Sequence, residues 1–203
     1  MKLYYSPGTC ALSPHIVSRE AGIPLELIRV DTKTHKTKDG EDFYQINPHG
    51  YVPTLVLDNG EILTEGPAIV QYLADMKPES GLMPKGEQRY RVLEWLNFVA
   101  AELHKQFSHM FSPKTPAEYK DVIREGLVQK FAFLDGKLAG KSYLTGENFT
   151  VADAYLFVVA NWSRFHNIDL AKWPNLKAFM DRVKARPMVQ EAMRAEGLIK
   201  TAA

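Results

Sequence analysis

One cysteine, at position 10, stands among the 203 residues of this chain. A lone thiol excludes an intrachain disulfide and any site made of several thiolates. The six histidines offer no alternative metal set: no HExxH spacing occurs, and His104 and His109 lie too far round a helix to share a face well. No metal is therefore expected. Charge of one sign is also missing, with 25 Lys and Arg against 24 Asp and Glu and a formal net charge of +1. The bases are interleaved with acids, as in KTHKTKDGED at 33–42. That excludes the electrostatic footprint of a nucleic-acid binder or of an anionic membrane surface. No apolar run approaches the roughly eighteen residues of a membrane span. The opening MKLYYSPGT breaks at Pro7-Gly8 and reads as no secretory leader. The expected setting is the reducing cytoplasm, with neither nucleic acid nor membrane as partner.

What is present is an ordinary globular composition, 45% hydrophobic and 24% charged, long enough to bury a proper core. The two halves follow different patterns. Up to about residue 77, short β-type runs alternate with helical ones: KLYY (2–5), a helical stretch through Ile16, Val17, Arg19 and Glu20 that stops at Gly22, then LELIRV (25–30). TLVL (54–57) turns through Asp58-Asn59-Gly60 into EIL (61–63), a hairpin signal. Ile69, Tyr72, Leu73 and Met76 then mark one face of a helix. A βαβ unit, a hairpin and a helix make a small α/β domain of mixed sheet. The four candidate strands predict four strands in that sheet.

Residues 78–88, KPESGLMPKGEQ from Lys77 onward, carry the prolines and glycines of a linker. From 89 to 203 the pattern is helical throughout. Val92, Leu96, Val99, Leu103 and Phe107 line one helix, and Tyr119, Ile123, Leu127, Phe131, Leu134 and Leu138 a second. Thr150-Val-Ala-Asp153 is a variant capping box ahead of an apolar helix. Pro174 and Pro187 fit the first turns of two more.

Three short stretches carry candidate chemistry. Cys10 follows a Pro-Gly turn and precedes a helix, where free N–H groups and the dipole favour a thiolate. Cys10-Ala-Leu-Ser13 is also the monothiol relative of a redox C-x-x-C. Against this, a lone cysteine is commonly a small buried hydrophobe, and the two readings stand level on the local sequence. Val52-Pro53 lies at the start of a strand, where proline is tolerated in any case. Thr64-Glu65-Gly66-Pro67 is a capped helix start, and such an end with Glu65 beside it can hold both the carboxylate and the ammonium of an amino-acid backbone.

In their order, PGxC, NPxGxVP and LTEGxAI, followed by EWLNF, ELHK, FTVADAYLF and a terminal AEGLIK, these motifs resemble those of bacterial beta-class glutathione S-transferases over essentially the whole chain. The resemblance implies a thioredoxin-like N-terminal domain (1–77), an all-helical C-terminal domain (89–203), a homodimer and glutathione as co-substrate. It places Cys10 beside the glutathione sulfur and Val52, with a cis bond to Pro53, along the cysteinyl unit. Glu65 and Gly66 take the γ-glutamyl end. Asn97, Glu102 and His104 match the family's residues around glutathione, and Lys105 adjoins them. His35 falls where the family usually has a lysine near the glycine carboxylate, so that Lys36 or Lys33 takes over or His35 binds as neutral imidazole. The second substrate is expected along His109, Met110, Phe111, Trp162 and Phe165, positions that core packing explains equally well.

The implied reaction is detoxifying conjugation: glutathione thiolate attacks the electrophilic carbon of a hydrophobic substrate. A thiol near pKa ~8.5 is only a few per cent ionised at neutral pH, and lowering it by about two requires roughly 2.7 kcal/mol of differential stabilisation. Cys10, His104 and Lys105 are the residues expected to take part in the chemistry. Two alternatives stand beside it: thiol–disulfide exchange with Cys10 as nucleophile, and a non-catalytic ligand-binding or scaffold protein on the same fold. The physiological electrophile is not written in the sequence.

Overall fold

The computed structural model describes residues 1–200. They form two compact units, Met1–Leu82 together with the segment from Arg186 onward, and Met83–Ala185.

The first unit is built on a sheet. Strand β1 (Lys2–Tyr5) runs parallel to β2 (Glu26–Asp31) and antiparallel to β4 (Thr54–Val56). The predicted hairpin forms as β4 paired antiparallel with β5 (Ile62–Thr64). The sheet has five strands in the order β3-β2-β1-β4-β5, not the four expected. The additional strand is Lys36–Thr37, β3, paired antiparallel with the end of β2. At two residues, in a run of charged and polar side chains, it carries no hydrophobic periodicity, which is the signal a strand is read from. The backbone beside it is fixed by turns instead: His35 N–H donates to Asp31 O and Phe43 N–H to His35 O.

Helix α1 (Leu12–Glu20) joins β1 to β2, and helix α2 (Gly66–Met76) follows β5. The two pack on each other, and Leu12, Ile16, Val17, Ile69, Val70 and Leu73 are buried. On the opposite face of the sheet Tyr4, Val30 and Phe43 form a smaller cluster, against which Val52 packs. Helix α8 (Pro187–Ala195) also packs on α1. Sequence pattern assigns it to the helical half, but Val189, Ala192 and Met193 are apolar positions of an amphipathic helix, which does not say which core it covers. It ends in a Schellman turn: Gly197 takes φ +73°, and Leu198 N–H reaches Met193 O.

The second unit is helical. Helix α3 (Glu87–Phe98) runs into a π-helical segment, Val99–His104, and then α4 (Lys105–Phe111). The apolar series from Val92 to Phe107 spans all three pieces, so the single helix expected there is interrupted. Helices α5 (Ala117–Leu138), α6 (Val151–Ala160) and α7 (Pro174–Lys184) complete the unit. Every residue of α6 is buried. Its first turn is held by Asp153, whose carboxylate accepts the N–H of Thr150 and of Leu144 and the Thr150 hydroxyl, each at 2.8 Å. Asp135 of α5 does the same for α7, taking the N–H groups of Asn175 and Leu176.

Candidate active site

In the first unit the loop after β1 carries Cys10. Gly8 takes φ +72°, a conformation glycine adopts freely, and its N–H donates to the buried carboxylate of Glu196 at 3.0 Å. The other oxygen of Glu196 lies 2.9 Å from His15 Nδ1, and both side chains are sealed from solvent. Thr9 Oγ1 closes the turn on Ser6 O. Helix α1 begins at Leu12 with Ala11 as its cap, so Cys10 sits before the helix rather than in its first turn. Its sulfur is buried and donates to Val52 O at 3.4 Å.

The expected bias toward thiolate is not found. Burial pushes the Cys10 thiol up to about 12, the charge of Glu65 adds to the rise, and the N–H groups of Cys10 and Ala11 oppose it without prevailing. Desolvation of an anion outweighs what a helix end offers a group lying one step outside it.

Val52 precedes Pro53 through a cis peptide bond. The carbonyl of Val52 is taken by Cys10, while its N–H donates to nothing among the described residues. The loop ahead of it is braced by Asn47, which donates to Tyr51 O and to Thr54 Oγ1. Gly50 in that loop has φ +67°, and a Cβ there would come within 2.6 Å of Tyr44 and 2.8 Å of His35 Nδ1. That nitrogen of His35 is buried without a hydrogen-bond partner, and its ring lies on Tyr44 with centroids 4.5 Å apart. Lys33 and Lys36 are exposed.

Glu65 is the most unusual backbone of the unit. At φ +69°, ψ +113° it stands in a region that non-glycine residues seldom enter. Its carbonyl accepts Ala68 and Ile69 N–H, as the carbonyl at a helix start ordinarily does. Its exposed carboxylate stands at the mouth of α2, where Gly66 N–H opens the helix.

In the second unit, Asn97 is exposed and its amide donates to Leu93 O on its own helix. Glu102 is paired with Lys130 at 2.7 Å. Lys105 is exposed. The π-helical segment widens the turn that carries Glu102 and His104, between Asn97 of α3 and Lys105 of α4. His104 stacks edge-on against Tyr155 and Trp162, and its Nδ1 lies 2.6 Å from the Tyr155 hydroxyl. Burial, with Lys105 nearby, holds its imidazolium well down, to about 4, so the ring is neutral at ordinary pH.

Of the residues expected to line a second-substrate pocket, Met110 and Trp162 are buried, while Phe111 and Phe165 are about half exposed. Phe111, Trp162 and Phe165 join Phe107 and His166 in one aromatic cluster. His109 points elsewhere, toward Tyr119.

Tyr155, Glu196 and His15 escaped the sequence reading. A hydroxyl inside the apolar run AYLFVVANW and a glutamate just before a helix-ending glycine are the signals that mark the first two. Among the described residues no cluster of His, Cys, Asp and Glu could hold a metal, and no helix is long and apolar enough to cross a membrane.

Family models for the glutathione S-transferase N-terminal domain and C-terminal domain match residues 1–75 and 98–187. The glutathione S-transferase GstA of Escherichia coli O157:H7 is 44% identical over 98% of this chain and 100% of its own length. A sphingomonad glutathione S-transferase solved in complex with glutathione is 46% identical, with a TM-score of 0.94 over 98% of this chain and 100% of that one. The beta-class enzyme of Sphingomonas chungbukensis is 43% identical with the same TM-score and coverage. An exposed Glu65 at the start of α2, a cis Val52-Pro53 bond and a helical unit with a neutral histidine are thus found in a chain that belongs to the glutathione S-transferase family, among its bacterial beta-class members.

Proposed function

We propose that this chain binds glutathione and conjugates its sulfur to hydrophobic electrophiles. Glutathione gives up its thiol proton to solvent or buffer, the thiolate attacks an electrophilic carbon, a C–S bond forms, and the displaced group leaves with its electron pair. Glu65 and the opening N–H of Gly66 take the ammonium and carboxylate of the γ-glutamyl end. The spare N–H of Val52, set by the bond to Pro53, pairs with the cysteinyl unit. His35 and Lys36 face the glycine carboxylate. His104 and Lys105 lower the thiol's pKa, and Asn97 and Glu102 complete the set carried by the resemblance. The homodimer rests on that resemblance as well, and the cytoplasmic setting on a composition with a single cysteine.

The observation that carries the reading is Glu65. A strained, exposed acid whose backbone opens a helix is a structural expense that ligand binding explains and folding does not. The state of Cys10 supports one of the chemistries over the other. A buried thiol held near 12 is almost wholly protonated at neutral pH. It is a poor attacking nucleophile for disulfides, and its one S–H is given to Val52 O. Conjugation is therefore favoured over thiol–disulfide exchange.

Calorimetric titration with glutathione and conjugation of an activated aryl halide test the proposal together. Binding in the micromolar to millimolar range and conjugation that survives Cys10→Ala are the expected results. An absence of glutathione binding leaves only a scaffold role. Disulfide reduction that exceeds conjugation and vanishes in Cys10→Ala makes the thiol the nucleophile.

A further inference from the structure

The hydroxyl beside His104 has no part in the reading above. We propose that Tyr155 is a positioning residue: by donating its O–H to His104 Nδ1 it holds the imidazole proton on Nε2, making His104 a hydrogen-bond donor of fixed direction. The role assigned to that donor, toward a sulfur anion, rests on the proposed function; the tautomer itself does not.

The distance is short, 2.6 Å between Nδ1 and the phenolic oxygen. Two arrangements give such a contact, O–H to Nδ1 or Nδ1–H to O. A phenol is a far stronger acid than a neutral imidazole N–H, and a ring nitrogen is a better acceptor than a phenolic oxygen. The O–H···N arrangement is therefore preferred, and the hydrogen bond at one ring nitrogen decides which proton the other keeps. Nε2 makes no hydrogen bond among the described residues and is not among the buried unpartnered atoms. It is the nitrogen left available to a ligand.

The surroundings fix both partners. Tyr155 is 1% exposed, on a helix buried at every position and anchored at its first turn by Asp153. The His104 ring is held between Tyr155 and Trp162, at interplanar angles of 77° and 65°. His104 also closes the π-helical segment, and such a segment re-aims the side chains it carries. Neutrality completes the picture: with its imidazolium held down to about 4, the ring is not a base matched to a thiol at pH 7. A donor that stays neutral and points one way is what remains for it to be.

Long-range ¹⁵N–¹H spectra of the labelled protein at neutral pH read the tautomer directly, with no ligand present. In the wild type, Nδ1 of His104 is expected in the unprotonated range and Nε2 in the protonated range. In Tyr155→Phe, which keeps the ring and removes only the hydroxyl, the two signals are expected to move toward each other as the tautomers mix. With glutathione and an aryl halide, the same variant is expected to lose about tenfold in kcat while KM for glutathione holds within about twofold, the size of one lost hydrogen bond in the transition state. A protonated Nδ1 in the wild type overturns the proposal, and that measurement needs no variant to fold. An unchanged tautomer in Tyr155→Phe overturns it too. A tautomer that shifts as expected in a protein without glutathione binding sinks the functional reading and leaves the positioning role standing.

Discussion

The candidate site residues of the two units are held in contrasting ways. In the first unit the work falls on backbone in uncommon conformations: Gly8 and Gly50 at positive φ, Glu65 in a strained one, and a cis bond at Val52-Pro53. In the helical unit it falls on side chains presented by helices, one of them interrupted by the π-helical segment that ends at His104: Asp153 caps, Asp135 caps from another helix, Tyr155 meets His104. A site held by backbone tolerates exchange of side chains that leave φ and ψ alone. A site held by side chains fails with the loss of one polar group. Variants of single residues put that contrast to the test.

The largest effect is expected at Asp153. Its carboxylate accepts three hydrogen bonds in a fully buried position. Asp153→Ala strands two backbone N–H groups and a hydroxyl inside the core, which amounts to about 3–5 kcal/mol. Urea unfolding should show the midpoint fall accordingly. A loss below about 1 kcal/mol would mean that the helical unit does not depend on single polar groups, and the contrast would collapse.

Next in size are two opposed pH effects inside the helical unit. His104 stays neutral in the folded chain down to about 4 against an ordinary 6.5. The unfolded chain therefore binds the proton first, and stability falls as pH drops from 6.5 to 4, by about 3 kcal/mol. Asp153 behaves oppositely. Burial raises it to about 6 from an ordinary 3.8, against the pull of its hydrogen bonds. The folded chain takes that proton first, and stability rises as pH drops from 6 to 4, again by about 3 kcal/mol. The two slopes nearly cancel in the wild type. His104→Gln should unmask a gain of stability on acidification, and Asp153→Asn a loss. Equal pH slopes in the two variants, measured by urea unfolding between pH 7 and 4, would refute both assignments.

The first unit should answer differently. Glu65→Gly removes strain from a backbone that glycine accepts, and the expected gain is about 1 kcal/mol despite the added freedom of the unfolded chain. Glutathione affinity should fall in the same variant, because the carboxylate is gone. Glu65→Gln separates the two effects: stability unchanged, affinity reduced. A Glu65→Gly variant less stable than wild type would show that the conformation is not strained.

This division also explains what could be read in advance. Residues that dictate backbone geometry leave their mark on the chain itself: the Pro-Gly turn before Cys10, the proline after Val52, the glycine after Glu65. Strands, the hairpin and most helices followed from periodicity for the same reason. The two-residue β3 carried no periodicity to read. The π-helical segment kept the apolar spacing of an ordinary helix, so nothing betrayed the wider turn before His104. Local sequence reports the helix end beside Cys10 but not the depth of its burial, and burial decides the thiol's pKa. Tyr155 and Glu196 were hidden for a simpler reason: each meets its partner far along the chain, and a hydroxyl in an apolar run looks like core until its partner is seen.

The smallest expected effect concerns Glu102, and it sets a limit on the contrast. Its carboxylate is engaged by Lys130 at 2.7 Å, with both side chains partly exposed. Such a pair contributes about 0–1 kcal/mol, because water screens the charges and two long side chains must be ordered to form it. Glu102→Gln should therefore shift the unfolding midpoint by no more than that, and Glu102→Gln with Lys130→Gln should cost no more than the single variant. If Glu102 serves glutathione only at a distance, KM for glutathione should move by less than about threefold, the scale of a solvent-exposed charge. A tenfold rise in KM with stability intact would make Glu102 a direct ligand contact that gives up Lys130 on binding. The helical unit would then hold a side chain whose partner changes with the ligand, which neither the fixed backbone of the first unit nor the buried pairs of the second can do.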